Sequence, residues 1–255
     1  MNYIIYDLEF NQEYLHSSEV QSANNSSLPF EIIQIGALKL TENFETVANF
    51  NSLIKPTVYP IIHPYVESLT KINDSMVSSC ETFPQVYEDF LEFIGNDETT
   101  LCVWGISDIK ELLRNIKFYN LPSSTISKNY IDIQKYASKH LRTPNKSRIG
   151  LSTAISLLNI PTNGQFHDAF NDAYYTTEVF KHIYNNNIKT TTYIPNFSRR
   201  VKQSKEKIDT VALINQFEKM YNREMSLEEE SMIKLAYIMG KTRQFVIESN
   251  LSNED

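Results

Sequence analysis

The sequence is poor in cysteine: only Cys80 and Cys102 occur in 255 residues, with no Cys-x-x-Cys. That excludes a disulfide framework and a cysteine-built zinc site, and suits a reducing compartment, so a cytoplasmic location is expected. Long apolar runs are also missing. No stretch reaches 18 apolar residues, so no membrane span is expected. The opening Met1-Asn2-Tyr3-Ile4-Ile5-Tyr6-Asp7 is apolar too briefly to read as a signal peptide. Positive charge is in the minority. The 24 Lys and Arg against 31 Asp and Glu give a net charge of −7 and a pI near 5.3. Such a chain does not coat long nucleic acid by charge alone. It can bind a short end if metal ions neutralise the phosphates locally. Glycine is scarce, at six residues beside abundant Asn, Lys, Ile and Tyr. That bias carries no mechanistic information.

What is present suffices for a fold. Hydrophobic residues make up 41% and charged residues 22%, which permits a packed core and excludes global disorder. At about 100–200 residues per domain, the length allows one large domain, or one domain and a small appendage.

The pattern predicts strands first. Tyr3 to Phe10 is aromatic and β-branched, with Asp7 and Glu9 set into it. A polar loop from Gln12 to Ser27 follows, then a buried strand from Phe30 to Leu40 and a third from Phe50 to Ile54, ended by Pro56. Helical patterns begin at Thr82-Phe83-Pro84, with Pro84 in the first turn. Thr100 to Trp104 and Tyr130 to Ile133 read as short strands. Asp108 to Ile116, Leu151 to Leu158 and Asp168 to Tyr184 read as helices. Strands first, then strands alternating with helices, indicate a mixed α/β sheet. Near residue 190 the composition shifts. Arg199, Arg200, Lys202, Lys205 and Lys207 follow within nine residues. Two more helices are expected beyond, at about 208–221 and from a Ser226/Glu229 capping box to about Ile247. The domain reading is therefore 1–189, a basic linker 190–207 and a helical extension 208–255. The basic run reads either as a solvated linker or as a hold on the body of an RNA strand. The last helix pair can pack back, meet a protein partner or self-associate.

Several acids sit where a core strand or helix start does not call for them. Asp7 and Glu9 leave the same face of one strand. Two such carboxylates repel each other and cost desolvation when buried, and a divalent cation removes both penalties. An isolated Asp-x-Glu also fits a solvent-facing strand side. Asp108 follows Val103-Trp104-Gly105 at a strand–helix junction, where a helix N-cap is the plainer reading. His167 and Asp172, five apart in His167-Asp168-Ala169-Phe170-Asn171-Asp172, can reach one site if the helix begins between them.

Taken in order, Asp-x-Glu, a middle Asp and His-x4-Asp resemble the DEDD exonuclease superfamily in its DEDDh branch. Further segments carry the resemblance. Glu31-Ile32-Ile33-Gln34-Ile35-Gly36-Ala37 is similar to the family's second strand. Val66 to Ile72 is similar to its Leu-Thr-Gly-Ile segment, with Lys71 in place of Gly. Val103-Trp104-Gly105-Ile106-Ser107-Asp108 resembles the Trp-Gly-x-x-Asp motif typical of ERI-type and KapD-like members, and Gly150-Leu151 with Leu157-Leu158-Asn159-Ile160 resembles the approach to the last motif. The likeness covers residues 2 to 186.

The resemblance implies an RNase H-like α/β fold with a mixed five-stranded sheet flanked by helices, plus the C-terminal helical appendage. It implies a 3′–5′ exonuclease releasing nucleoside 5′-monophosphates, with RNA favoured by subgroup. Asp7, Glu9, Asp108 and Asp172 would hold two Mg2+ or Mn2+ ions, and His167 would act as general base. Leu8, Phe10, Trp104 and Ser107 are candidate substrate contacts. Phe10 also reads as a core aromatic, and Ser107 and Asn171 as helix caps. Glu31 reads as site-facing or exposed, and Asp132 as structural. The competing readings are a DNA exonuclease in proofreading or repair, and a non-enzymatic regulatory binding protein on the same fold.

Overall fold

The computed structural model describes residues 2–13, 28–123, 126–143, 147–162, 164–194 and 209–241. Most of the polar loop from Gln12 to Ser27, the basic run from Arg199 to Lys207 and the last helix beyond Lys241 lie outside them. The chain divides into two compact units, residues 1–195 and 196–255.

The first unit is built on β1 (Asn2–Asn11), β2 (Glu31–Leu40), β3 (Thr46–Leu53), β4 (Thr99–Val103), β5 (Asn129–Asp132) and β6 (Thr191–Thr192). They form one sheet in the order β3-β2-β1-β4-β5-β6. β1 is antiparallel to β2 and parallel to β4, so the sheet is mixed. The five expected strands are all there, and the sheet has a sixth. β6 is two exposed threonines pairing with β5, too short to leave an alternation in the sequence.

Helices α1 (Pro64–Thr70), α2 (Asp74–Val77), α3 (Phe83–Ile94), α4 (Ser107–Phe118), α5 (Ile133–His140), α6 (Leu151–Leu157) and α7 (Ala169–Ile183) complete the unit. β1 assigns its two faces by alternation. Ile4, Tyr6 and Leu8 are buried with residues of α3 and α4, such as Phe90 and Leu112. Tyr3 and Ile5 are buried with residues of α5, α6 and α7, such as Ala137, Ile155 and Phe180. Asp7 and Glu9 continue the second row, so they leave the sheet on the α7 side. Glu9 is only 8% exposed, which removes the solvent-facing reading of that carboxylate.

Two glycines fix the approach of helices to this row. Gly36 pairs with Asp7 across β1 and β2. A Cβ there would lie 2.2 Å from the backbone of Ala169 and Phe170. The start of α7 therefore rests directly on β2. Gly105 turns the chain from β4 into α4 with φ +96°, a conformation that favours glycine.

Lys71, the departure from Leu-Thr-Gly-Ile, caps α1 in the left-handed conformation, φ 65° and ψ 5°. A glycine suits such a cap, and a Cβ there costs energy. Lys71→Gly is expected to stabilise the protein by about 0.5–1 kcal/mol. Thermal melts check this; a lower midpoint would contradict it.

The second unit holds α8 (Thr210–Tyr221) and α9 (Leu227–Lys241). The expected capping box is formed: Glu229 N donates to Ser226 Oγ and Ser226 N to a Glu229 carboxylate oxygen. Val211, Met220, Leu227, Met232 and Leu235 are exposed. Among the described residues, no helix is long and apolar enough to cross a membrane.

Candidate active site

The site forms where the C-terminal half of β1, the start of α4 and the start of α7 meet. Asp7 and Glu9 come from β1. Asp108 lies in the first turn of α4 and is buried. The N-cap of that helix is Ile106, so Asp108 is not spent on capping. Asp172 lies in the first turn of α7 and is buried.

His167 precedes that helix with φ 63°, a left-handed backbone rare for a side chain this large. Its backbone N–H donates to Asp172 Oδ2 at 3.1 Å, which ties the strained turn to the helix. The imidazole is exposed, whereas the carboxylates beneath it are not. Glu9, His167 and Asp172 each offer a ligand atom, and the three atoms lie within 4.8 Å of one another. Asp7 and Asp108 stand outside that trio but share its electric field.

Burial and mutual repulsion raise all four acids. Burial pushes Glu9 up to about 8, with Asp172 and Asp108 adding to it. Asp108 rises to about 7, because burial outweighs the hydrogen bond from its own backbone and Asp172 adds to it. Asp172 rises to about 6 through burial, opposed by the His167 N–H and imidazole. Asp7 is driven well above the usual carboxylate range by burial, then by Asp108, Glu9 and Asp172. Asp172 Oδ1 is buried with no hydrogen-bond partner among the described residues. Clustered carboxylate oxygens, mutually destabilised and with one atom unsatisfied, are the donor set a hard divalent cation takes. The residues present fit such a cation.

Other assignments fall out differently. Leu8 points into the core under α3 and α4, 3% exposed, because alternation turns it away from Asp7 and Glu9. Its side chain is therefore not a substrate contact. Phe10 is half-buried, its ring 6.2 Å from that of Phe30, after a register shift at Glu9/Phe10. Trp104 is half-buried against the α7-side core, its ring N–H buried without a partner among the described residues. Ser107 is exposed and makes no cap bond, since the helix begins one residue too early for it. Asn171 is not a cap either; its amide donates to Gln165 O at 3.0 Å. Asp132 is structural, capping α5 and pairing with Arg148.

Three residues matter more than their pattern showed. Gln34 donates to Asp168 Oδ2 and accepts from Ala169 N, both at 3.1 Å, so it clamps the start of α7 to β2. Its signal was visible: a single amide inside a buried strand. Asp168 caps α7 through Oδ1, which accepts from Asn171 N. Glu31 is neither site-facing nor exposed. Buried, it accepts the backbone N–H groups of Thr57, Val58 and Tyr59 and the Tyr119 hydroxyl. Nothing near it in sequence announces those partners.

A mixed sheet of this order, with acids from its central strand and two helix starts, defines an RNase H-like nuclease domain. The chain belongs to the Exonuclease family (RNase_T), which it matches over residues 4–180. It is 27% identical over 173 residues to a DNA polymerase III PolC-type of Clostridium perfringens, covering 68% of this chain and 11% of that protein. It is 23% identical over 184 residues to the 3′-5′ exonuclease crn-4 of Caenorhabditis elegans, covering 66% of this chain and 61% of that one. The chain thus spans less than two thirds of either relative. The nuclease domain of 3′hExo, a DEDDh family member bound to rAMP, superposes with a TM-score of 0.64 at 20% identity, covering 76% of this chain and 97% of that one.

Proposed function

We propose that the protein is a metal-dependent 3′–5′ exonuclease that releases nucleoside 5′-monophosphates, with RNA favoured over DNA. The observation that carries this is the convergence of four mutually repelling carboxylates, three of them buried and Asp7 half-buried, with an exposed imidazole beside them. Asp7, Glu9, Asp108 and Asp172 are the proposed ligands of two Mg2+ or Mn2+ ions. Such ions, when bound, acidify a water and offset the charge that develops on the departing 3′ oxygen. His167 stands at the open side of the carboxylates, where it accepts the proton of the attacking water. The left-handed turn and the bond to Asp172 hold it there. No covalent nucleophile is required. Phe10, Trp104 and Ser107 remain proposed contacts for the terminal nucleotide.

The RNA preference rests on the likeness to ERI-type and KapD-like members and on a structural relative that binds rAMP. The relative that is a DNA polymerase keeps DNA as the alternative to be measured. We assign residues 1–189 to catalysis, 190–207 to a basic linker and 208–255 to a helical extension, whose exposed apolar side chains suit contact with a protein partner or a second copy.

The test is degradation of matched single-stranded RNA and DNA oligonucleotides with Mg2+ or Mn2+. The expected result is a ladder shortening from the 3′ end, faster on RNA and lost in EDTA. No cleavage of either by folded protein that binds Mn2+ would favour the regulatory binding reading.

His167→Asn separates a base from a ligand. Loss of the base is expected to lower turnover by about 10²–10⁴-fold. The thermal shift produced by Mn2+ should persist. Were that shift lost too, His167 would be holding metal.

A further inference from the structure

Charge is divided unevenly along the first unit. Residues 1–106, through β4 and into the turn after it, hold 15 Asp and Glu against 3 Lys, a balance of −12. Residues 107–195, from α4 onward, hold 11 Lys and Arg against 6 Asp and Glu, a balance of +5. Those six acids are all engaged. Asp108 and Asp172 belong to the carboxylate cluster, and Asp168 caps α7. Glu111 pairs with Lys110 and Arg114, Asp132 with Arg148, and Glu178 with Lys181. The surplus cations gather at one end of the sheet. Lys128, Lys135, Lys139, Arg142 and Lys189 lie on or beside β5, α5 and β6. All five are exposed, and none has an ion pair among the described residues. A chain that is acidic as a whole thus carries a basic flank.

That flank reaches the carboxylates along one edge. β1, β4 and β5 are parallel, so their C-terminal ends share an edge of the sheet. Cys102 of β4 pairs with Ile5 on one side and Ile131 on the other. Asp132 therefore ends β5 one residue short of the level of Asp7, and two strand spacings put it about 10 Å to the side. Arg148 stands there. Its Nη1 pairs with Asp132 Oδ2 and lies 3.4 Å from Gln134 Oε1. The same Gln134 oxygen is 3.0 Å from where a Cβ on Gly105 would lie, so the guanidinium adjoins the turn that leads to Asp108.

The position of Arg148 is built. Asp132 Oδ1 accepts from Lys135 N, Gln134 Nε2 donates to Ile149 O at 2.9 Å, and Ile149 N donates to Ser138 Oγ at 3.1 Å. Pairing with Asp132 does not require the rest of the guanidinium to face outward. Yet the Arg148 side chain is 51% exposed, whereas that of Asp132 is 7% exposed and lies behind it. Among the described residues, Nε and Nη2 of Arg148 have no acceptor. A planar fork held by one nitrogen offers the others to the oxygens of a phosphate.

We propose that the strand upstream of the reacting 3′ end leaves the site over the ends of β4 and β5, with Arg148 binding one of its phosphates and Lys135 and Lys139 continuing the path along α5. The inference rests on the exonuclease reading above. A polyanion is repelled by the part of the unit with a balance of −12 and steered to the flank of +5. Arg148 is a positioning residue: it touches no reacting atom, and its hold on an upstream phosphate sets the terminal linkage against the carboxylates.

Binding of a 5′-labelled single-stranded RNA to the full chain tests this, by anisotropy on Asp7→Asn protein so that cleavage does not intervene. KM and kcat on the otherwise wild-type protein are the second readout. Arg148→Gln should weaken binding and raise KM by about tenfold, with kcat changing far less. It should flatten the slope of log affinity against log salt by about 0.7. Upstream phosphates are then replaced one at a time by a neutral methylphosphonate. At one position this should cost the protein with Arg148 about tenfold and cost Arg148→Gln little. A residue that only supports α5 produces no such position. Lys135→Gln breaks no ion pair, so it does not depend on how Arg148→Gln folds; it should weaken binding by about twofold to fivefold. Lys55→Gln, just past β3 on the acidic side, should change neither readout. A wild type that cleaves RNA, with Arg148→Gln and Lys135→Gln binding and cleaving as it does, overturns the path and leaves the exonuclease reading standing. A loss in Lys55→Gln as large as that in Arg148→Gln does the same. A wild type that neither binds nor cleaves RNA or DNA overturns both.

Discussion

Asp7→Asn is expected to lower 3′-end hydrolysis by about 10³-fold, about 4 kcal/mol of barrier. The same change should raise the thermal midpoint of the metal-free protein at pH 8. The two effects have one cause. The four acids are held above their ordinary values by burial and by one another: Asp172 at about 6, Asp108 at about 7 and Glu9 at about 8. A carboxyl whose folded value is raised contributes stability that is complete below its unfolded value near 4. That stability is lost as pH rises through the folded value. The metal-free protein should therefore weaken steadily from about pH 4 to about pH 8. Removing the Asp7 charge takes one repelling neighbour out of the cluster and one desolvated carboxylate out of the fold, so the variant should lose less stability over that range. Added Mn2+ should reverse the loss in the wild type, by about 2.7 kcal/mol at a hundredfold excess over its dissociation constant. The variant should show little of that rescue. Melts in EDTA and in Mn2+ at pH 5.5, 7 and 8.5 decide the matter. A wild-type midpoint that climbs with pH in EDTA, or one indifferent to Mn2+, would falsify the carboxylate cluster as a metal site.

Much of this was legible in the residues, and the reasons differ by element. β1 and β2 declare themselves through apolar runs, and two-residue alternation puts Asp7 and Glu9 on one face. Asp108 and Asp172 were readable because each stands in the first turn of a helix whose apolar spacing is clear. What pattern could not supply is distance across the sheet. Glu31 finds its partners 26 to 28 residues on in the segment 57–59, and 88 residues on in Tyr119. Leu8 is a candidate contact by adjacency to the acids, yet the same alternation that exposes Glu9 to the site sends Leu8 into the core. α1, α2 and α5 are absent from the expected helices; for α2, four residues are too few to establish a helical period. Ile133 reads as strand because it is apolar, but Asp132 before it caps a helix.

Gly36→Ala is expected to show that the site depends on one close approach of strand backbone to helix backbone. A Cβ at Gly36 would meet Ala169 C and Phe170 N at 2.2 Å and Ala169 O at 2.4 Å. These are backbone atoms of the first turn of α7, and no rotamer relieves the contact. The helix start must move away from β2. Gln34 resists that movement through its bonds to Asp168 and Ala169, so the strain divides between the sheet and the helix. Overpacking of this kind costs about 1–3 kcal/mol, and contact with backbone atoms rather than a flexible side chain argues for the upper end. The functional cost is the sharper readout. The same turn carries Asp172 and, through its hydrogen bond, His167. A displacement of about 1 Å in such groups lowers turnover by about 10²-fold. Gly105→Ala is the contrasting variant. Its Cβ would meet only the tip of Gln134, 3.0 Å away, so its cost is the φ of +96° rather than a displaced helix. It should destabilise without the same fall in turnover per folded molecule. Gly36→Ala with wild-type kcat and midpoint would mean that α7 does not rest on β2 as described. A loss of stability alone, with kcat intact, would separate the packing of α7 from the placement of His167 and Asp172.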